Sequence, residues 1–178
     1  MNDPRMSGRR GVLTGAALLS LLAPTTACTA FGGYDVPDSV CGRPIAPEVL
    51  APLLPEGENL KERHRSADED ASMCTLSVDG DAALVVEEWR DQEPRDMLER
   101  EKDKDPAGDP ARSDVQGDSV ISDGTFHSMN PCPARGEKSN HTLTLYLGGA
   151  GTAGKRDELE AFAAAYLPEG LKAMGCTE

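Results

Sequence analysis

Apolar and polar positions alternate most regularly around residue 76, where Cys74, Leu76 and Val78 interleave with Thr75, Ser77 and Asp79. A period of two sends successive side chains to opposite faces of a sheet, so this stretch predicts a half-buried strand. Asp79-Gly80-Asp81 supplies a turn and Ala82 to Trp89 returns as a more apolar strand, which together predict a β-hairpin. A weaker strand pair is predicted from Ser119 to His127 and from His141 to Leu147, where His141, Leu143, Leu145 and Leu147 share one face. Helical spacing is clearest near the C-terminus: Leu159, Phe162, Ala163, Tyr166 and Leu167 recur at intervals of three and four. Pro168 is expected to end that helix, with one further turn at Leu171 to Met174.

Two shorter helices complete the pattern. Ala46 to Leu54 carries Pro47 where a first turn accepts it and Pro52 where a longer helix would break, so it reads as one or two turns burying Val49, Leu50, Leu53 and Leu54. Pro94 to Lys104 reads as an exposed helix, while Pro55 to Ala71 and Asp105 to Asp118 read as polar connections. The order helix-ββ-helix-ββ-helix implies an α+β domain, a mainly antiparallel sheet of about four strands covered by helices. It also allows a ββα unit used twice, although no identity between the halves supports a repeat.

The N-terminus carries a different pattern. Arg9-Arg10 precede twelve mostly apolar residues, Val12 to Ala23, and Pro24 to Cys28 closes them with small residues, the three regions of an export signal. Twelve residues are too few to span a bilayer. Twin-arginine and ordinary secretion both remain open as routes, since Val12 stands where the former usually has an aromatic residue, and both lead out of the cytoplasm.

The five cysteines are Cys28, Cys41, Cys74, Cys132 and Cys176, and the odd one, Cys28, directly follows the apolar stretch. Ala27-Cys28 resembles the end of a bacterial lipobox, which makes Cys28 the expected site of lipid attachment and the first residue of the mature chain. Residues 1–27 are then an export signal, 28–40 a lipidated tether and 41–178 one disulfide-bonded domain. The other four cysteines allow two bridges in three connectivities. Cys41 with Cys74 and Cys132 with Cys176 is the preferred one, because each bridge closes one half of the chain. No Cys-x-x-Cys or Cys/His pair has the spacing of a zinc site, and no metal ligand is assigned.

Charge narrows the partners. The chain holds 18 basic and 31 acidic residues, a formal net charge of −13, and loss of residues 1–27 removes three arginines and Asp3 to leave −15. Such a surface repels nucleic acid and anionic lipid, so membrane attachment would rest on acyl chains rather than on a basic face. The export signal ending in Ala27-Cys28, the opening "VCGRPIAPEVL", Cys74 on a strand and the closing "LKAMGC" together resemble the small uncharacterised lipoproteins of actinobacteria, some of which have α/β sandwich domains. That resemblance implies a surface lipoprotein and brings no catalytic residues with it.

Three stretches suggest more specific chemistry. Gly149, Gly154 and Lys155 fit the glycine-rich phosphate loop G-x-x-x-x-G-K between a predicted strand and helix, but Arg156 stands where Ser or Thr would hold magnesium. Asp103, Asp105, Asp109 and Asp114 occupy positions 1, 3, 7 and 12 of a twelve-residue calcium loop with Gly108 at 6. Ala107, Pro110 and an Asp in place of the last Glu depart from that pattern. His64, His127 and His141 are the only histidines, no G-x-S-x-G elbow accompanies them, and no spacing rule ties them to Glu62 or Asp123 as a base. His141 reads as a sheet-end residue, and Trp89 and Tyr146 as core aromatics with a ligand pocket as the sharper alternative. The expectation is a non-catalytic binding or interaction module without cofactor, on the outer face of the cell membrane, recognising a protein or envelope component. A small-ligand or calcium sensor is the alternative, and an extracellular hydrolase a minor one.

Overall fold

A computed structural model describes residues 30–31, 33–68, 70–149 and 152–177. The export signal and Cys28 lie outside the described residues. Seven strands make one antiparallel sheet: β1 (Leu60–Asp68), β2 (Ala71–Val78), β3 (Asp81–Gln92), β4 (Ala111–Arg112), β5 (Asp118–Ser122), β6 (Thr125–Pro131) and β7 (Asn140–Leu147). Their spatial order is β1-β2-β3-β7-β6-β5-β4, two meanders joined where β3 pairs β7. Helix α1 (Pro47–Leu50) continues into a 3₁₀ turn at Ala51–Leu53, α2 (Met97–Lys104) follows β3, and α3 (Arg156–Ala173) follows β7.

The mixed α and β architecture with a large antiparallel sheet agrees with the pattern read from the chain, but the sheet is wider than four strands. Helices and strands alternate as α1, three strands, α2, four strands, α3. Three strands escaped the reading: β1, the two-residue β4 inside the other supposed connection, and one of the pair β5 and β6. β1 lies in the supposed polar connection, because LKERHRSAD holds charged or polar side chains on both faces and shows no apolar alternation. Ser119 to His127 is a hairpin rather than one strand, turning at Asp123-Gly124 with Gly124 at φ 74°. The expected hairpin turns in the same way at Asp79-Gly80, where both residues have positive φ.

One face of the sheet is closed by α1 and α3. Leu76, Val86, Phe126, Leu143 and Leu145 pack there against Leu159, Phe162 and Leu167, each essentially inaccessible to solvent. Burying each such side chain contributes roughly 1.5–3 kcal/mol. Pro168 does not end α3. It sits on the exposed side of the helix, with Ala164, whose carbonyl it leaves without an amide, equally exposed to water, while Gly170 and Leu171 beyond it are buried. Disulfides join Cys41 to Cys74 and Cys132 to Cys176, the second fastening the chain just past α3 to the end of β6. Packing begins before Cys41: Tyr34 and Val40, in the segment expected to be a loose tether, belong to the core, and Gly33 donates to the carbonyl of Gly57 at 2.7 Å.

The opposite face is only partly covered. α2 is not the exposed helix expected, for it buries Met97 against Val120 and Met129 on β5 and β6. It stops short of β1, β2 and β3, whose side chains on this face remain exposed or half-buried.

Candidate functional site

The open face is built by strand alternation. Pairing places Arg63, Thr75, Val85 and Tyr146 in one row across β1, β2, β3 and β7, and Arg65, Met73, Glu87 and Thr144 in the next. Strands lie about 4.8 Å apart, so the surface from β1 to β7 spans roughly 14 Å. Its floor is threonine, methionine and valine with one acid, Glu87. Trp89 belongs to the same face and is 40% exposed, so the aromatic read as core stands open to solvent on the sheet surface.

Two depressions divide this face. Over β1 and β2, one of about 460 Å³ is lined by Lys61, Arg63, Arg65, Met73, Thr75 and Ser77, with the acid Glu62 at its border. The other, of about 360 Å³, lies between β3, β7 and α2, with Trp89, Thr144 and Tyr146 beneath and Arg95, Met97 and Arg100 beside it. Lys104 sits 5.4 Å above the Tyr146 ring, within cation–π range.

The distribution of ion pairs sets this face apart. Arg43, Arg90, Arg112, Arg135 and Arg156 all lie within salt-bridge distance of a carboxylate. Arg63, Arg65, Arg95 and Arg100 have no such partner among the described residues, and all four border the two depressions of the open face. Lys61 on β1 is likewise without an ion pair there. In a chain of net charge −13, a cluster of guanidinium groups with no carboxylate in ion-pair range among the described residues is a local positive field against the overall sign. Guanidinium groups recognise carboxylate and phosphate in bidentate fashion, and the adjacent tryptophan offers an apolar surface.

The three histidines have separate polar partners. His64 is exposed on β1, 3.0 Å from the Ser72 hydroxyl. His127 is sealed under α2, with Nδ1 3.0 Å from the Thr144 hydroxyl and Nε2 3.0 Å from a carboxylate oxygen of Glu101, itself buried. Burial, then the charges of Lys104 and Arg100, push its pKa down to about 3. His127 is therefore neutral at physiological pH; its Nδ1 shares a hydrogen bond with the Thr144 hydroxyl, while Nε2 and the Glu101 oxygen lie 3.0 Å apart without hydrogen-bond geometry.

His141 is also completely buried, inside the closed face rather than at an exposed sheet end, with Nε2 3.4 Å from Glu88 Oε1. Glu88 is the centre of a second buried network. Its Oε2 accepts from Arg43 at 2.8 Å and from the Tyr166 hydroxyl at 3.1 Å. Burial and the Glu88 charge drive the Tyr166 phenol pKa upward, so it serves as a donor throughout the physiological range. Thr144, the hydroxyl partner of His127, also lines the depression beside α2.

The other two stretches are occupied by internal contacts. The Lys155 ammonium donates to the Pro52 carbonyl at 2.9 Å. The cleft beside it, about 290 Å³, is walled by Glu56, Asp79 and Asp81, carboxylates that repel phosphate. Asp79 itself is held below the usual carboxylate range by the backbone amides of Glu58 and Asn59. In the calcium-loop stretch, the Arg156 guanidinium takes the carbonyls of Gly108 and Asp109 and the carboxylate of Asp123, while Asp105 caps Gly108. No group of three or more His, Cys, Asp or Glu among the described residues could hold a metal ion, and no helix among them is long and apolar enough to cross a membrane.

Glu62 and Asp123, the acids considered as bases, have structural partners: Glu62 accepts the Cys41 amide and Asp123 holds Arg156. β1, which composes one wall of the site, was a strand that sequence reasoning missed. The signal available was charge at alternate positions, Lys61, Arg63 and Arg65, instead of alternating hydrophobicity. Comparison with protein-family models, with curated proteins and with solved structures gives no match.

Proposed function

We propose that this chain is a non-catalytic recognition module of the cell envelope, lipid-anchored through Cys28 on the extracytoplasmic face, which binds an anionic partner on the open face of its sheet. The observation that carries the reading is the confinement of Arg63, Arg65, Arg95 and Arg100, the arginines without a carboxylate among the described residues, to one surface of an acidic domain. Without carboxylate partners these guanidinium groups can meet an outside ligand, although Arg95 also donates to the Gln92 side-chain carbonyl at 3.0 Å, and Trp89 beside Arg95 and Arg100 is the kind of half-open aromatic that anchors interfaces. Two disulfides suit an oxidising compartment, and an acyl anchor would limit partners to those near the membrane.

The test uses photo-crosslinking amino acids in intact cells of the source organism. A crosslinker in place of Thr75, on the open face, is expected to give discrete adducts that vanish when Arg63 and Arg65 are changed to Glu. A crosslinker at Ala161, exposed on α3, is expected to give none of them. Equal adducts from both positions would overturn the assignment of the face. Membrane fractionation of Cys28→Ser, expected to release the protein, checks the anchor.

A further inference from the structure

We infer that the anionic partner is an extended, acidic polypeptide segment that adds to the sheet as a strand alongside β1; this deepens the preceding reading and rests on it. The two edges of the sheet differ. β4 is two residues long and offers almost no ladder, whereas β1 is nine residues long and pairs only with β2 in the sheet. A long edge presents a row of unpaired amides and carbonyls, and folded proteins ordinarily shorten, bulge or cover such edges because they recruit other strands. Here the edge is long, its register shift confined to Ser66–Asp68 at one end, and it is braced: Cys74, opposite His64 in the register of β1 and β2, is disulfide-bonded to Cys41, and Glu62 of β1 accepts the Cys41 amide at 3.2 Å.

Side-chain alternation then selects the occupant. Lys61, Arg63 and Arg65 all project to the open face from this edge and are exposed. A strand added beside β1 would bring its own alternate side chains to about 4.5–5.5 Å of these three, the spacing at which opposite charges attract and like charges repel. A second copy of β1 pairing about a two-fold axis would set three cations against three cations, so self-assembly through the edge is disfavoured. An acidic strand with carboxylates at alternate positions meets every cation and satisfies the edge backbone at once. Main-chain hydrogen bonds supply affinity and the alternate carboxylates supply register, the division of labour in strand addition. Cations on an edge also protect against aggregation, and the same three residues serve both ends: they refuse the wrong strand and accept the acidic one.

The experiment uses the folded domain with both disulfides and a fluorescent peptide alternating Glu and Thr, read by anisotropy, alongside a version N-methylated at alternate amides and inorganic polyphosphate. The peptide is expected to bind with at least tenfold loss on Arg63→Glu/Arg65→Glu, and a Lys/Thr peptide is expected to recover binding to that variant, which shows the variant is folded. N-methylation on the edge-facing amides is expected to cost at least tenfold with the charge unchanged, and hydrogen exchange of the β1 amides is expected to slow in the complex. N-methylated peptide or polyphosphate binding as well as the parent peptide, with β1 exchange unchanged, would overturn strand addition while leaving the anionic face intact. No binding of any of the three probes, together with crosslinks indifferent to Arg63→Glu/Arg65→Glu, would remove the underlying reading as well.

Discussion

The same strands build two unlike surfaces. On the closed face Glu88 of β3 holds Arg43 and the Tyr166 hydroxyl through one carboxylate oxygen in the dry interior, with His141 3.4 Å from the other. One residue along the strand, Trp89 lies 40% exposed on the open face, with Glu87 and with Arg95 and Arg100, which have no ion pair among the described residues. Alternation lets each strand carry two independent instructions, one for folding and one for contact. The comparison teaches where stability has been optimised: the chain has many acids, and Glu87 even shares the open face, yet no carboxylate stands in ion-pair range of Arg63, Arg65, Arg95 or Arg100 among the described residues.

The most disruptive way to break this contrast is at Glu88. Glu88→Ala leaves the Arg43 guanidinium, only 13% exposed at its side chain, without its counter-charge and strips the Tyr166 hydroxyl of its acceptor. A loss of about 3–5 kcal/mol in urea unfolding is expected. Gly170→Ala sharpens the point, because a Cβ there would stand 2.4 Å from Glu88 Oε1, so helix and carboxylate could no longer approach as they do. A Glu88→Ala domain as stable as the parent would show the network to be incidental to the fold.

The second effect falls on the closed face as well. Cys132→Ser/Cys176→Ser removes the link across 44 residues that ties the chain beyond α3 to β6, and should lower stability by about 2–5 kcal/mol. Limited proteolysis should then cut first after Ala173, where helix gives way to turn. First cleavage elsewhere, with α3 still protected, would assign the anchoring of the helix to Phe162, Tyr166 and Leu167 alone.

The two faces were unequally legible. Leu143 and Leu145 announced a strand and Leu159, Phe162 and Tyr166 a helix because burial against a core imposes a hydrophobic period. β1 announced nothing, since an edge strand whose side chains meet solvent, Glu62 pairing with a backbone amide and His64 with Ser72, needs no apolar alternation. Pro168 misled because propensity is local, whereas the burial of Gly170 and Leu171 that carries α3 past it is tertiary. Trp89 was read as core for the same reason: side-chain type suggests burial, but only the position of α2 decides which part of the face is covered.

A third expectation concerns the covered part of the open side. His127 in the folded protein has a pKa of about 3, below the roughly 6.5 of an unfolded chain. Above pH 6.5 the ring is neutral in both states and its contribution is intact. As pH falls from there toward 3 the unfolded state takes a proton that the folded state refuses, and stability drops by at most about 1.4 kcal/mol per pH unit. The Glu101 carboxylate 3.0 Å away favours the proton and keeps the slope below that limit. In His127→Gln the acid limb should therefore be flatter, so the stability advantage of the parent shrinks between pH 7 and pH 4. Parallel unfolding curves for the two proteins across that range would contradict a neutral buried imidazole.

The smallest effect on folding is expected from the residues argued to matter most for contact. Trp89 is exposed on the sheet surface, and Arg63 and Arg65 stand on an edge with no ion pair to lose among the described residues. Replacing Trp89 by Ala, or the two arginines by Ser, should therefore shift stability by no more than about 0.5 kcal/mol. The arginine change would destabilise if those side chains closed a hidden network, and would stabilise slightly if three neighbouring cations on β1 repel one another without compensation. The salt dependence separates these cases. Mutual repulsion is screened above 0.1 M salt, where the Debye length is about 10 Å, so the parent should gain more stability from added salt than Arg63→Ser/Arg65→Ser does. Identical salt profiles, or a loss above 2 kcal/mol in the variant, would mean that these arginines belong to the fold after all, and the distinction between a face built for stability and a face built for contact would not hold.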